Sequence, residues 1–412
     1  MIAPLACSFL AAASAPSVQT SANTAASTEA LADPVTYSRD VAPILQSRCQ
    51  CCHRPGQVGP FALLSYDDVR GHAKMIASVL ERGAMPPWNA DARFDGVFVN
   101  QRRLTASEKR TITSWIEAGM PRGNPAEDPT PIQWPEGWSI GEPDVVFTPD
   151  YDLLAGKALP AEGYAVPLEG VVEYQYFTVE TDYPEDRWVQ AFEIKPGSPD
   201  VVHHVLAALQ SPNGFLDEKS FLATYVPGDT PSIYPESYAK RLPKGATLLF
   251  QVHYTPNGKA RTDRPSLGIR FAEEPPQFVV QSSAIVNRAL EIPAGAENHE
   301  VSASTVFDED VGLLSLMPHM HTRGKDFRIA ARFPDGTEQE LLFVQYDFNW
   351  QEAYVFPDPM LMPAGTKLEC VGHFDNSAKN PNNPDPTAVV RWGDQTFEEM
   401  FVGYIDTVVP LE

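Results

Sequence analysis

Basic residues are scarce in this chain of 412 residues. Lys and Arg number 31 against 54 Asp and Glu, which gives a formal net charge of -23 and a sequence pI near 4.7. Nucleic-acid binding is excluded by that balance, because releasing counterions from phosphates needs clustered cations. What remains is an acidic, solvated surface. Cysteine is scarcer still, with five residues, three of them inside one pentapeptide. Five are too few for a disulfide scaffold, and their bunching points to the chemistry of a site. Long apolar runs are missing as well. Beyond the N-terminal segment nothing approaches the run of about 18 apolar residues that a membrane helix needs. No repeat with a period of roughly 20 to 50 residues is visible, which argues against a solenoid or a propeller. The hydrophobic content of 43% is ordinary for a globular chain long enough to form two or three domains.

The N-terminus, "MIAPLACSFLAAASAPSVQT", has a short apolar stretch followed by Ala13-Ser14-Ala15. It lacks a basic start but suits a signal peptide over 1–15 cleaved near Ala15, then a flexible segment over 16–35, in a periplasmic or secreted protein. Lipid attachment at Cys7 is the second reading, and Pro4-Leu5-Ala6 matches that signal poorly.

From 36 to 123 the pattern is helical: "DVAPILQSRC", "SYDDVRGHAKMIASVLERG" and "TASEKRTITSWIEAG". Thr105 reads as an N-cap with Glu108 three residues on, and Gly119 before Pro121 reads as the stop. Residues 124–149, dense in Pro, Gly and acidic side chains, read as a linker or an arm laid over the next domain. Beyond them come short β-rich runs such as "VVHHVLAALQ", "ATLLFQVHYTPNG" and "GLLSLMPHMHT", punctuated by turn residues. The expected architecture is multidomain: a small all-α domain over 36–123, then two all-β antiparallel sandwiches, jelly-roll-like, over 150–285 and 286–412.

The pentapeptide "CQCCH" satisfies C-x-x-C-H through Cys49, Cys52 and His53. Two thiols are placed to add across the haem vinyl groups, and an imidazole stands next in line for the iron. Met85 in "GAMPPW" is the candidate sixth ligand. A zinc site is the competing reading, but it wants a second ligand pair and the segment supplies only His72, which reads as a surface helix residue. Cys51 is surplus to haem attachment. The segment resembles the class I c-type cytochrome domains in its binding motif, axial-Met loop and closing helix, and this resemblance implies one covalently bound haem c.

Apart from His53 and His72 there are seven histidines, and five of them fall into three motifs: His203-His204, His253, and His319-Met320-His321. Residues i and i+2 of a strand share a face, so His319 and His321 can chelate one ion directly. His203 and His204 are adjacent, and only a bulge or a strand end can aim both at one ion. Imidazole with a thioether suits copper, and the absence of nearby cysteine pairs argues against structural zinc. His299 reads as a loop residue and His373 as a strand-end histidine. Met317, Met320, Met360 and Met362 read as core.

These residues carry a resemblance. From about Pro143 to Pro410 the chain is similar to the copper type II, ascorbate-dependent monooxygenases, the family of dopamine β-hydroxylase and peptidylglycine α-hydroxylating monooxygenase. The resemblance implies two separated coppers facing each other across a cleft. His203, His204 and His253 would hold the electron-transferring ion, and His319, His321 and Met400 of "FEEMFVGY" the oxygen-binding one. It further implies hydroxylation of an organic C–H bond by molecular oxygen, with an external reductant such as a redox protein or an ascorbate-like donor. The co-occurrence of a haem motif on the same chain adds the expectation that the haem relays electrons to the copper held by His203, His204 and His253. Cys370 is the only β-region cysteine where the family is usually disulfide-bonded, so packing alone must stabilise this part. The other readings are a non-catalytic haem and copper electron-transfer protein, and a haem-copper reductase of a small inorganic substrate.

Overall fold

The computed structural model describes residues 33–211, 216–226 and 231–411. The expected signal peptide, Cys7 and most of the 16–35 segment lie outside the described residues. Three α-helices appear among the described residues, α1 (Ala42–Arg48), α2 (Tyr66–Glu81) and α3 (Ala106–Glu117), and the rest of the ordered backbone is almost entirely strand. Both long helices begin with a full capping box. Ser65 and Asp68 cap α2, and Thr105 and Glu108 cap α3, each pair satisfying two otherwise orphaned amides.

The expected fold class is overturned on its first element, because no self-contained all-α domain stands apart from the β structure. The helices do share a small core of Val41, Leu45, Val69, Ile76, Leu80, Ile112 and Trp115. Between α2 and α3, however, the chain leaves that core and enters the β region. Trp88, Ala90, Phe94 and Phe98 pack into the core of the C-terminal half with Tyr354 and Phe356. Asp91 N–H donates to the Phe343 carbonyl at 2.8 Å, Gln345 N–H to the Asn89 carbonyl at 3.0 Å and Val99 N–H to the Val355 carbonyl at 2.9 Å. Helical periodicity marks which segments coil, but it says nothing about where the connecting aromatic residues find their burial.

The second correction concerns the β region, a layered β-sandwich assembly in which the two halves share one sheet. Nine strands form it. Eight follow one path, from Val145–Phe147 at one edge through Ser266–Phe271, Arg187–Lys195, Tyr238–Leu242, Phe278–Val286, Phe401–Pro410 and Val311–Met320 to Tyr354–Met362. Tyr238–Leu242 and Phe278–Val286 pair in parallel, so the sheet is not purely antiparallel. A six-stranded sheet containing Gln175–Glu180, Val202–Gln210 and Thr247–Tyr254 covers the first half, over a core that includes Phe177, Phe192, Val205, Phe250 and Ile269. A four-stranded sheet made of His299–Val306, Gly324–Arg332, Glu338–Gln345 and Lys367–Phe374 covers the second, over Leu316, Phe327, Cys370 and Phe401. The proline-rich stretch ends as an edge strand, with Val145–Phe147 paired to Leu267–Ile269.

No disulfide forms among the described cysteines, and Cys370 is completely buried. A Cβ at Gly403 would come within 2.6 Å of the Cys370 sulfur, so that core is already filled to contact. No helix among the described residues is long and apolar enough to cross a membrane.

Phe98 is 4% exposed and sits 5.3 Å from the Tyr354 ring and 5.2 Å from that of Phe356. Phe98→Ala is expected to destabilise the C-terminal half by about 3–5 kcal/mol, the usual cost of deleting a core phenylalanine. Urea unfolding of the full chain, followed by tryptophan fluorescence, measures this.

Candidate metal and haem sites

Strand alternation explains how His253 and His204 reach a common face. In Thr247–Tyr254, the side chains of Leu248, Phe250, Val252 and Tyr254 enter the core, which sends Leu249, Gln251 and His253 to the opposite face. His204 is the register partner of His253, whereas Tyr254 pairs with Val202. His203 is therefore the extra residue of a β-bulge. That bulge lets two adjacent histidines turn toward one point.

The candidate ligand nitrogens of His203, His204 and His253 all lie within 4.8 Å of one another. The Nδ1 atoms of His203 and His204 are 3.2 Å apart. His203 Nε2 and His253 Nδ1 are buried and have no hydrogen-bond partner. Burial holds the His203 imidazole down at about 4 and that of His253 at about 3, and pushes His204 well below its ordinary value. All three rings are thus neutral near pH 7, with lone pairs available to a metal.

His319 lies in Val311–Met320 opposite Val402, and His321 follows immediately after that strand. Their ring centroids are 5.3 Å apart. Gln351 Nε2 donates to the Phe348 carbonyl at 3.1 Å, which turns Gln351 Oε1 toward His319 Nδ1 at 2.6 Å. His319 Nδ1–H is the donor there, so Nε2 keeps its lone pair. His321 Nδ1–H likewise donates to the Glu398 carbonyl at 3.2 Å, and its buried Nε2 is left without a partner. Burial depresses His319 to about 4 and His321 well below the usual range.

Met400 stands just ahead of the strand Phe401–Pro410. It lines a cavity of about 270 Å³ together with His204, His319, Tyr176, Trp392 and Tyr404. Its neighbour Glu399 is wholly buried and accepts from His321 N–H at 2.8 Å and Arg323 N–H at 2.7 Å, with the Arg323 guanidinium at 3.8 Å. This buried carboxyl ties the turn after His321 to the start of the Met400 strand. Burial pushes it up to about 8, against the lowering pull of those two amides and Arg323.

The five histidines form one group. The Tyr174 ring lies 5.3 Å from His204, 4.9 Å from His253 and 6.5 Å from His321. Phe348 stacks on His203 at 4.8 Å and approaches both His253 and His321 at 6.2 Å. Two aromatic rings therefore fill the space between the two histidine sets, where the resemblance implies an open cleft. Tyr174, Phe348, Gln351 and the Glu399–Arg323 pair belong to no spacing motif, and sequence reasoning missed their part here. The paired acidic residues Glu398-Glu399 opening an apolar strand were the one visible signal.

At the helical end, Cys49, Cys52, His53, Met75 and Met85 line an apolar cavity whose wall also includes Arg102 and, from the β region, Trp350. His53 Nδ1–H donates to the Phe61 carbonyl at 3.0 Å, which fixes the ring and leaves Nε2 free to ligate. Gly59 lets its loop pack back onto the motif, donating N–H to the Cys52 carbonyl at 3.0 Å, where a Cβ would come within 2.6 Å of that oxygen. Two thiols, an oriented imidazole and a thioether around an apolar space suit a haem c. Cys51 Sγ sits 3.7 Å from Cys52 Sγ. The contact with Cys52 pulls the Cys51 thiol down, the same contact pushes Cys52 up, and burial raises Cys49 to about 12.

His72 stacks on Phe61 at 3.9 Å and donates Nδ1–H to the Asp68 carbonyl at 2.8 Å. His373 is engaged by Asp326 at 2.7 Å and Glu300 at 3.6 Å. His299 opens a strand rather than lying in a loop.

No protein-family model matches the chain, and a comparison with curated proteins finds no match. Among solved structures, the major capsid protein P2 from bacteriophage PM2 is similar at 9% identity over 65% of this chain and 98% of that one, with a TM-score of 0.29. The N-terminal CBM22-1-CBM22-2 tandem domain from Paenibacillus barcinonensis Xyn10C is similar at 8% identity over 66% of this chain and 98% of that one, with a TM-score of 0.17. Likenesses this slight carry no function over to this chain.

Copper titration of the metal-free chain, followed by calorimetry, is expected to show tight binding that His253→Ala removes at the three-histidine group. His373→Ala should leave the binding unchanged.

Proposed function

We propose that the chain is a copper-dependent monooxygenase that hydroxylates a C–H bond of a small organic substrate with molecular oxygen. The observation that carries this reading is the convergence of five neutral imidazoles, four of them buried and that of His203 half-buried, with one thioether at the edge of a cavity. His203, His204 and His253 would hold one copper, and His319, His321 and Met400 a second. Copper supplies one-electron chemistry and oxygen activation, and the soft sulfur of Met400 favours the reduced ion.

The chain's own groups have plain tasks in this reading. Gln351 and the Glu398 carbonyl fix the tautomers of His319 and His321, so that each presents Nε2. Phe348 and Tyr174 keep bulk water from the imidazoles. Tyr176, Leu206, Phe221, Trp392 and Tyr404 give the cavity an aromatic and aliphatic wall suited to an apolar substrate body. Cys49, Cys52, His53 and Met85 would hold a haem c as the in-cis source of electrons, replenished by an external redox partner or an ascorbate-like reductant in a periplasmic or secreted setting.

Turnover under labelled oxygen should place the label in an organic product, and Met400→Ala should abolish it while leaving the haem spectrum and the copper at the three-histidine group intact. Full activity of Met400→Ala would remove the oxygen-site assignment. Cys51→Ser is expected to retain covalent haem in a pyridine haemochrome assay, and loss of haem would show that the wrong cysteine pair had been chosen.

A further inference from the structure

One short turn touches both candidate sites. Residues 346–353 connect Glu338–Gln345 to Tyr354–Met362. Within that turn Trp350 forms part of the wall of the cysteine and histidine cavity, facing the space that Cys49, Cys52, His53 and Met85 also line. Its sequence neighbour Gln351 is 3% exposed and takes the His319 Nδ1–H at 2.6 Å. Two residues before Trp350, Phe348 stacks on His203 with 15° between the ring planes.

The turn is clamped where it meets the helical side. Glu352, 6% exposed, pairs with Arg102 at 3.2 Å, and Arg102 itself lines the cavity. Asn89 Nδ2–H donates to the Trp350 carbonyl at 3.3 Å, and Trp350 N–H closes the turn on the Asp347 carbonyl at 3.0 Å. Between the cavity wall and a candidate copper ligand there is thus one indole ring, one peptide unit, one amide side chain and one short hydrogen bond.

We propose that Trp350 and Gln351 form the electron-conducting link between the two sites, with Phe348 as a parallel contact onto His203. The proposal rests on the haem and copper assignment made above. Electronic coupling decays more slowly through covalent and hydrogen bonds than across van der Waals gaps, and the path through Trp350 and Gln351 is continuous in such bonds from the cavity wall to His319. The transfer is a single electron. Ferrous haem iron becomes ferric and Cu(II) becomes Cu(I), with no proton or atom exchanged. Trp350 and Gln351 act as positioning and coupling residues and touch no reacting atom of the substrate.

The test uses the full chain, with haem content fixed by pyridine haemochrome and copper content by metal analysis. The haem is photoreduced anaerobically without substrate. Its reoxidation is followed by absorbance, together with loss of the Cu(II) paramagnetic signal. Trp350→Leu is expected to slow reoxidation about tenfold, with haem spectrum, haem potential and copper content unchanged. Gln351→Leu should slow it comparably, and Trp350→Phe, which keeps an aromatic ring on the cavity wall, should recover most of the rate. Wild-type rates in both leucine variants overturn the proposal. So does equal slowing in Trp350→Phe and Trp350→Leu accompanied by a shifted haem potential, because that marks a purely structural role. A chain that binds copper but carries no covalent haem, or the reverse, refutes the site assignment and the link with it. A chain that holds both, with no haem reoxidation, refutes the link alone.

Discussion

The pairing of Phe401–Pro410 with two partners at once holds both halves of the protein in place. On one side it runs antiparallel to Phe278–Val286 over nine residues, and on the other to Val311–Met320. The first contact joins the two halves into one sheet. The second sets Met400 and Glu399 beside the end of the strand that carries His319. A slip of one residue in this register would turn His319 from the cavity face into the core. Buried Glu399, bonded to the amides of His321 and Arg323, resists that slip from the turn side.

Around that register the protein carries a burden that makes physical sense for a metal centre. His203 Nε2, His253 Nδ1 and His321 Nε2 are buried without partners, and each such atom costs about 1–3 kcal/mol in a chain without metal. Protonation gives no escape, because burial disfavours the imidazolium at all five histidines. Metal coordination at these nitrogens would offset this cost. The neighbouring groups are arranged accordingly. Gln351 and the Glu398 carbonyl occupy one nitrogen of each ring in the His319 and His321 pair and leave the other open.

The helical region is bound into this assembly rather than tethered to it. Trp88, Phe94 and Phe98 are core residues of the C-terminal half, although they lie between two helices in sequence. Their burial holds α2 and α3 against the β region. The Arg102–Glu352 pair and Trp350 then complete the wall of the cysteine and histidine cavity. A connection that looks like a loop is therefore what fixes one candidate site relative to the other.

Local chemistry was legible in the chain before any folding: the C-x-x-C-H spacing, the candidate Met85, the capping box of α3, the β texture after residue 150 and the three histidine motifs. Such features are written in spacings of a few residues, which strand and helix periodicity translate directly. The need for a bulge or a strand end at His203-His204 was legible too, because adjacent residues of a regular strand face opposite ways. Folding alone settled that the halves share one sheet, that the helices form no separate domain, and that Tyr174 and Phe348 gather the five histidines into one group. These are contacts between residues far apart in the chain, chosen by burial and register, and no short pattern encodes where a tyrosine or a phenylalanine will find its partners.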